Sequence, residues 1–354
     1  MVRELASRSG IDVTLLFSRQ WLTGDGKLPH NCPLRDLPFR TYSLPERVME
    51  RSWKLVGRPT IDRHLTGADL LYSPSDTAFP RTSIPNLVTI HDIHPLDPRY
   101  PDYQIHPGWN SQRKRWQRWV PKAFQNASAV LTVSEFCKSR MEQLVDTKGT
   151  PIHVIGNGVD PLFFDLGNRP LDTCRRAGEW PYAFVIGGLS DRKGAQATFA
   201  VARELTRRGS DIRIVVAGRS EPKWSKAAAG MQNVVELGLL DDDLMGEYLR
   251  SSCCLLFLSL YEGFGIPIVE AMASRVPVIT SNSSSLPEIV GDAGQVLSAN
   301  DTARVATAME LLASEPELRE AYAEKGARRA DRFTWNVCVD RLVEAMALPA
   351  TDGR

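Results

Sequence analysis

Two carboxylates bracket a glycine turn in the stretch SLYEGFGIPIVEAMA, residues 259–273. Glu262 and Glu270 stand eight positions apart, and Gly263, Phe264 and Gly265 follow the first of them. The apolar run CCLLFL (253–258) precedes the turn, and Pro267 suits the first turn of a following helix. Glycines in such a turn let a ligand approach the backbone and expose amide N–H groups. A helix N-terminus adds partial positive charge suited to phosphate. Carboxylates are poor phosphate ligands but good acceptors for hydroxyl protons. An anion site with carboxylates beside it therefore calls for a substrate carrying both phosphate and hydroxyls, as a nucleotide-sugar does. A glutamate in a first helical turn is also favoured by the helix dipole alone. The whole string, with both acids placed after a buried strand, is harder to explain that way.

The elements that must position these groups follow an alternating grammar. Short β-branched runs are predicted as strands at 11–18, 68–73, 86–90, 129–133 and 152–155, and again at 182–187, 212–218, 233–237, 253–258 and 276–280. Most are continuously apolar, as strands buried on both faces are. Helices are predicted between many of them, at 111–127, 134–145, 195–208, 241–251 and 267–274. This is the pattern of parallel α/β sheets, and it occurs twice. Such sheets bind ligands beyond the carboxyl ends of their strands, which is where the 259–273 stretch falls. The segment GVDPLFFDLGNRPLDTCRRAGEWP, rich in turn formers, reads as an irregular junction near residue 170. The expected domains are 1–168, 169–332 and a terminal helix from 333 to 354 that is free to return to the first domain. The chain opens on part of a helix, VRELASRSG, where a doubly wound domain is expected to begin with a strand and a Gly-rich turn. A missing central strand leaves its neighbours' backbone groups to be paired elsewhere.

With these elements in place, YEGFGIPIVEAM resembles the E-x7-E motif of the retaining glycosyltransferases of family 4. The resemblance implies the GT-B fold: two Rossmann-like, doubly wound parallel-sheet domains facing a cleft, here with the first strand of the N-terminal domain absent. It implies that Glu262, Gly263, Phe264 and Gly265 meet the transferred sugar and that Glu270 meets the nucleotide ribose. GGLSDRKG (187–194) is similar to the family's diphosphate-binding segment. Its basic residues here are Arg192 and Lys193, while Gly188 stands where an arginine often does. VTIHDI (88–93) places His91 like the family's first-domain histidine, and VVELGLLDDDLMGEYL places backbone near Leu239 at the nucleobase. Other departures are Leu258 for a common proline and Arg275 for a common glycine after EAMA.

The resemblance further implies transfer with retention, no required metal and no covalent nucleophile. YSPSDTA, TIHDI and LTVSEF are similar to the mannosyltransferase-like branch of bacterial surface polysaccharide synthesis. The expected donor is therefore GDP-mannose and the expected acceptor a glycan or lipid-linked oligosaccharide. A catalytically silent relative that binds nucleotide-sugar or a protein partner is the alternative.

Several bland readings stand beside these. Asp241, Asp242 and Asp243 are read as helix caps rather than metal ligands. His91 and His94 lack further ligands at metal spacing. The polar turn SNSSS is read as the cap of the LPEIV helix. HPGWNSQRKRWQRWVPKAF (106–124) carries three tryptophans and five basic residues. It is read either as an amphipathic helix with a basic outer face or as a contact with an anionic membrane surface.

The whole composition is compatible with this. The 354 residues suffice for about two domains. Apolar residues make up 43% and the net charge is +1, so no global field favours nucleic acid. The N-terminal MVRELASRSG has no apolar leader core, no run approaches the roughly 18 apolar residues of a spanning helix, and six scattered cysteines form no CxxC pair. A cytoplasmic protein, peripheral at most to the membrane, is expected.

Overall fold

The computed structural model describes residues 1–56, 58–75, 80–99, 108–169 and 180–347. The later part of the predicted junction, 170–179, residues 76–78 of YSPSDTA and 106–107 of the basic segment lie outside the described residues. The chain divides into two compact units. Of the described residues, the first holds Met1–Asp97, the chain from 108 to Gly156 and the chain again from Trp335; the second holds Pro98, Arg99 and Asn157–Thr334.

The first unit carries six parallel strands: β1 (Leu15–Ser18), β2 (Phe39–Tyr42), β3 (Leu71–Ser73), β4 (Asn86–Thr89), β5 (Ala129–Thr132) and β6 (Ile152–Val154). They form two separate sheets, β1-β2 and β3-β4-β5-β6. β4 and β5 are buried throughout, whereas β1 and β3 are half-buried. Leu16 of β1 and Leu71 of β3 nevertheless pack on one apolar cluster of Tyr42, Met49, Trp53, Ile61 and Leu65. The two sheets thus share a core without sharing a hydrogen-bond ladder. On the four-stranded sheet, Leu87, Leu131 and Ile155 meet Val339 and Leu342 of the helix Trp335–Ala347 and Leu5 of the helix Val2–Ala6.

The second unit is one six-stranded parallel sheet: β7 (Tyr182–Ile186), β8 (Arg213–Ala217), β9 (Val234–Gly238), β10 (Cys254–Phe257), β11 (Val278–Ser281) and β12 (Gln295–Leu297). The order β12-β11-β10-β7-β8-β9 reverses direction between β7 and β10. That reversal is the topological switch point at which doubly wound sheets bind ligands. Helices follow the strands as their periodicity predicts, including Ala195–Arg208, Asp242–Arg250 and Ile266–Ala273.

Among the elements that differ from the sequence expectation are two strands and a helix. β2 and β12 are strands where none is predicted. The turn-rich junction contains a helix, Pro161–Asn168. Asp160 caps it, its carboxylate accepting the Leu162 amide proton at 2.9 Å, and Phe163 and Leu166 are buried. Pro161 is tolerated because it occupies the first turn.

Candidate active site

The loop after β7 and the loop after β10 meet at the switch point. The first, 187–194, leads into the helix Ala195–Arg208. Gly188 has a φ of +74°, and a Cβ there would lie 2.2 Å from the Arg219 carbonyl oxygen. This backbone approach accounts for glycine at the position where an arginine is common in the resemblance. Gly194, at φ +72°, is held as closely against the Leu258 carbonyl, 2.0 Å from where its Cβ would sit. One backbone bond and one side-chain bond stitch the two loops: the Leu260 amide donates to the Arg192 carbonyl at 2.8 Å, and Arg192 Nη1 donates to the Tyr261 carbonyl at 2.9 Å.

That stitching brings the predicted cations onto the predicted acid. Glu262 Oε1 lies 3.1 Å from Arg192 Nη1 and 2.8 Å from Lys193 Nζ, with the glutamate side chain only 13% exposed. Lys193 Nζ also sits 5.0 Å from the centre of the Phe257 ring. Two cations thus share one carboxylate at the sheet's carboxyl end, next to a helix N-terminus.

The turn that carries Glu262 is fixed by hydroxyls on the loop after β11. The Glu262 amide donates to Ser284 Oγ at 2.9 Å, and Ser285 Oγ donates to the carbonyls of Glu262 and Phe264, each at 2.9 Å. The polar turn therefore does not cap the Leu286–Val290 helix through a side chain, as the sequence reading held. It braces the acid-bearing turn. Phe264 turns its ring inward, edge-on to Phe333 at 5.5 Å, which leaves its backbone as the part that a ligand can meet. Gly265 takes φ +105° at the start of the helix Ile266–Ala273.

Glu270 lies one turn into that helix and in a different field. Desolvation pushes its carboxyl up to about 7, helped by the nearby charges of Asp242 and Asp160 and opposed by Lys193. Asp160 is a neighbour that linear spacing does not reveal; it arrives with the unpredicted helix. The Asp run behaves as a cap: Asp241 Oδ1 accepts the Leu244 amide proton at 2.8 Å.

At the ends of β8 and β9, Leu239 is 71% exposed and lines a cavity of about 310 Å³ with Gly218, Arg219, Ser220, Ser225 and Glu236. Sequence reasoning found Leu239 but none of the others. In the first unit, His91 is exposed at the carboxyl end of β4, its carbonyl accepting from Cys137 Sγ at 3.2 Å. Structure thus brings Arg192, Lys193, Glu262, Gly263, Phe264, Gly265, Glu270 and Leu239 onto one unit and places His91 on the other.

Parallel α/β units with two cations and two acids near a switch point have known relatives, and both halves of the chain match glycosyltransferase families. The family described as Glycosyl transferases group 1 matches residues 175–329, and that described as Glycosyltransferase Family 4 matches residues 1–162. The chain is 26% identical over 292 residues to O-antigen chain mannosyltransferase B of Escherichia coli, covering 79% of this chain and 74% of that one. It is 31% identical over 239 residues to MMP alpha-(1->4)-mannosyltransferase of Mycolicibacterium hassiacum, covering 64% of this chain and 54% of that one, about half the relative's length. Among solved structures, sucrose-phosphate synthase from Thermosynechococcus elongatus superposes with a TM-score of 0.71 at 17% identity, covering 97% of this chain and 90% of that one. WaaG, a glycosyltransferase involved in lipopolysaccharide biosynthesis, gives 0.66 at 16%, covering 99% and 95%. The fold is GT-B. The chain belongs to glycosyltransferase family 4.

Proposed function

We propose that this glycosyltransferase moves a hexose, in the first instance mannose from GDP-mannose, to a glycan or lipid-linked oligosaccharide with retention of configuration and without a metal ion. The observation that carries the reading is the contact of Glu262 with both Arg192 and Lys193 at the switch point of the second unit. The mannosyl choice is supported by the names of the relatives above.

In this reading the donor diphosphate takes over the two cations, and Glu262, released from them, accepts protons from the sugar hydroxyls. Glu270 accepts from the ribose hydroxyls, and the amides of 263–265 orient the sugar. The role of His91, orienting the donor sugar, stands on the family resemblance. The acceptor hydroxyl attacks C1 on the face from which the diphosphate departs. The C1–oxygen bond to the diphosphate breaks, and the departing phosphate oxygen takes the acceptor proton. Arg192 and Lys193 offset the charge that develops on that oxygen.

The acceptor side is proposed to work at a membrane's cytoplasmic face. Among the described residues no helix is long and apolar enough to cross a membrane. The helix Trp109–Asn126 exposes Lys114, Arg115 and Arg118 and contains no acidic residue, a surface suited to peripheral contact with anionic lipid.

Two variants test the assignment. Glu262→Ala is expected to lower transfer by about 100-fold or more. Glu270→Ala is expected mainly to weaken donor binding, by about 10-fold. Full transfer by both variants rejects the donor-grip reading. The separation of β1-β2 from β3 favours one second reading, a catalytically silent relative that binds nucleotide-sugar or a protein partner. Donor binding without turnover on any acceptor is the result that reading requires.

A further inference from the structure

The cavity beside Leu239 contains one carboxylate that the proposed reaction does not use. Glu236 lies on β9, the edge strand of the second unit's sheet. The β8–β9 register shifts at this point: Val216 faces Glu236, while the next residue, Ala217, faces Gly238. One extra residue on β9 makes a bulge, a device that ends pairing and re-aims side chains. Ser225 Oγ donates to Glu236 Oε1 at 3.2 Å and holds the carboxylate at the cavity wall. An ionised carboxylate only accepts hydrogen bonds.

We propose that Glu236 selects guanine as the donor's base. The inference rests on the reading that the nucleobase lies at Leu239, and it deepens that reading. Guanine presents N1–H and N2–H₂ side by side on its Watson–Crick edge, two parallel donors for the two oxygens of one carboxylate. Uracil offers a single N3–H flanked by two carbonyl oxygens, whose lone pairs face the carboxylate. Adenine places the N1 lone pair next to its N6 donor. A fixed carboxylate therefore attracts guanine and repels the other two, and both halves of that difference produce specificity. The rest of the cavity agrees. Leu239, 71% exposed, offers an apolar face for the ring, and the exposed Arg219 supplies donors of the kind that read guanine O6 and N7. The competing account is that an exposed glutamate on an edge strand merely discourages strand pairing.

The experiment is calorimetric titration of the full chain, parent and Glu236→Gln, with GDP, UDP and ADP. Glu236 is exposed, so the glutamine variant is expected to fold, which circular dichroism checks. The parent is expected to bind GDP most tightly. Glu236→Gln is expected to lose about 10- to 100-fold in GDP affinity, the scale of hydrogen bonds to a charged group, while UDP and ADP bind more tightly than they do to the parent as the repulsion is removed. Equal GDP affinity in the two proteins overturns the inference and leaves Glu236 as an edge charge. Tighter binding of UDP or ADP by the parent overturns it while the donor-site reading stands. Absence of binding by all three overturns both.

Discussion

Glu262 and Glu270 are the same side chain under opposite fields. Glu262 faces two cations at hydrogen-bonding distance, whereas Glu270 is desolvated beside Asp242 and Asp160. The Glu270 carboxyl is raised from 4.5 to about 7, so the folded state holds its proton more tightly than the unfolded chain does. The stability it contributes is therefore complete below about 4.5 and is lost as pH rises through about 7. Glu270→Gln, which cannot ionise, is expected to be more stable than the parent at pH 8 by roughly 3 kcal/mol. The difference is expected to vanish near pH 4.5, as denaturant titrations at the two pH values will show. The ionised carboxylate is the stronger acceptor for ribose hydroxyls. Parent affinity for a nucleoside diphosphate is accordingly expected to fall as pH drops through about 7, with a flatter profile in Glu270→Gln. A parent profile without that fall removes Glu270 from the ribose.

At the scale of elements, the helix Ile266–Ala273 presents both the glycine turn and Glu270, and its far end shows a local conflict. The Val276 amide donates to the Ala271 carbonyl at 2.8 Å and the Arg275 amide to the Met272 carbonyl at 3.0 Å. This is a Schellman ending, whose left-handed position is favoured by glycine. Arg275 occupies it at φ +57°, with a partly exposed pair to Glu320 as its one ion-pair partner among the described residues. Arg275→Gly is expected to raise stability by about 0.5–1 kcal/mol, measured by denaturant midpoint, because relief of the left-handed strain outweighs a surface pair. An unchanged or lowered midpoint contradicts this.

The same elements show how far the sequence can be read. Strands such as CCLLFL were legible because burial on both faces demands unbroken apolar runs, and Asp241 because a cap needs only its own local amide. β2, FRTY, was hidden by its exposed outer residues, and β12 by its polar Gln295 between Gly294 and Val296, which leaves only two apolar residues in a row. The helix Pro161–Asn168 was masked by proline, glycine and asparagine, whose turn chemistry outweighs propensity in a linear reading. The motif announced Glu262, Arg192 and Lys193 separately. Their ion pairs, the Ser284–Ser285 brace and the approach of Asp160 to Glu270 depend on loops from different strands. Spacing along the chain does not encode those meetings.

At the scale of the molecule, the two units carry different shares of the chemistry. The second is a complete six-stranded sheet whose switch point holds the cations and both acids. The first divides its strands between two sheets and gains the helix Trp335–Ala347 as part of its core. A grip on the donor within the second unit requires only that unit's loops. Turnover requires the acceptor side as well. The most direct test of the central claim is therefore transfer itself: radiolabelled GDP-mannose incubated with this chain and lipid-linked oligosaccharide, with product linkage read by proton NMR. The account predicts an α-linked product from the α-linked donor, undiminished by chelators and lowered about 100-fold or more in Glu262→Ala. A β-linked product, undiminished transfer by Glu262→Ala, or donor bound tightly but never transferred would contradict it.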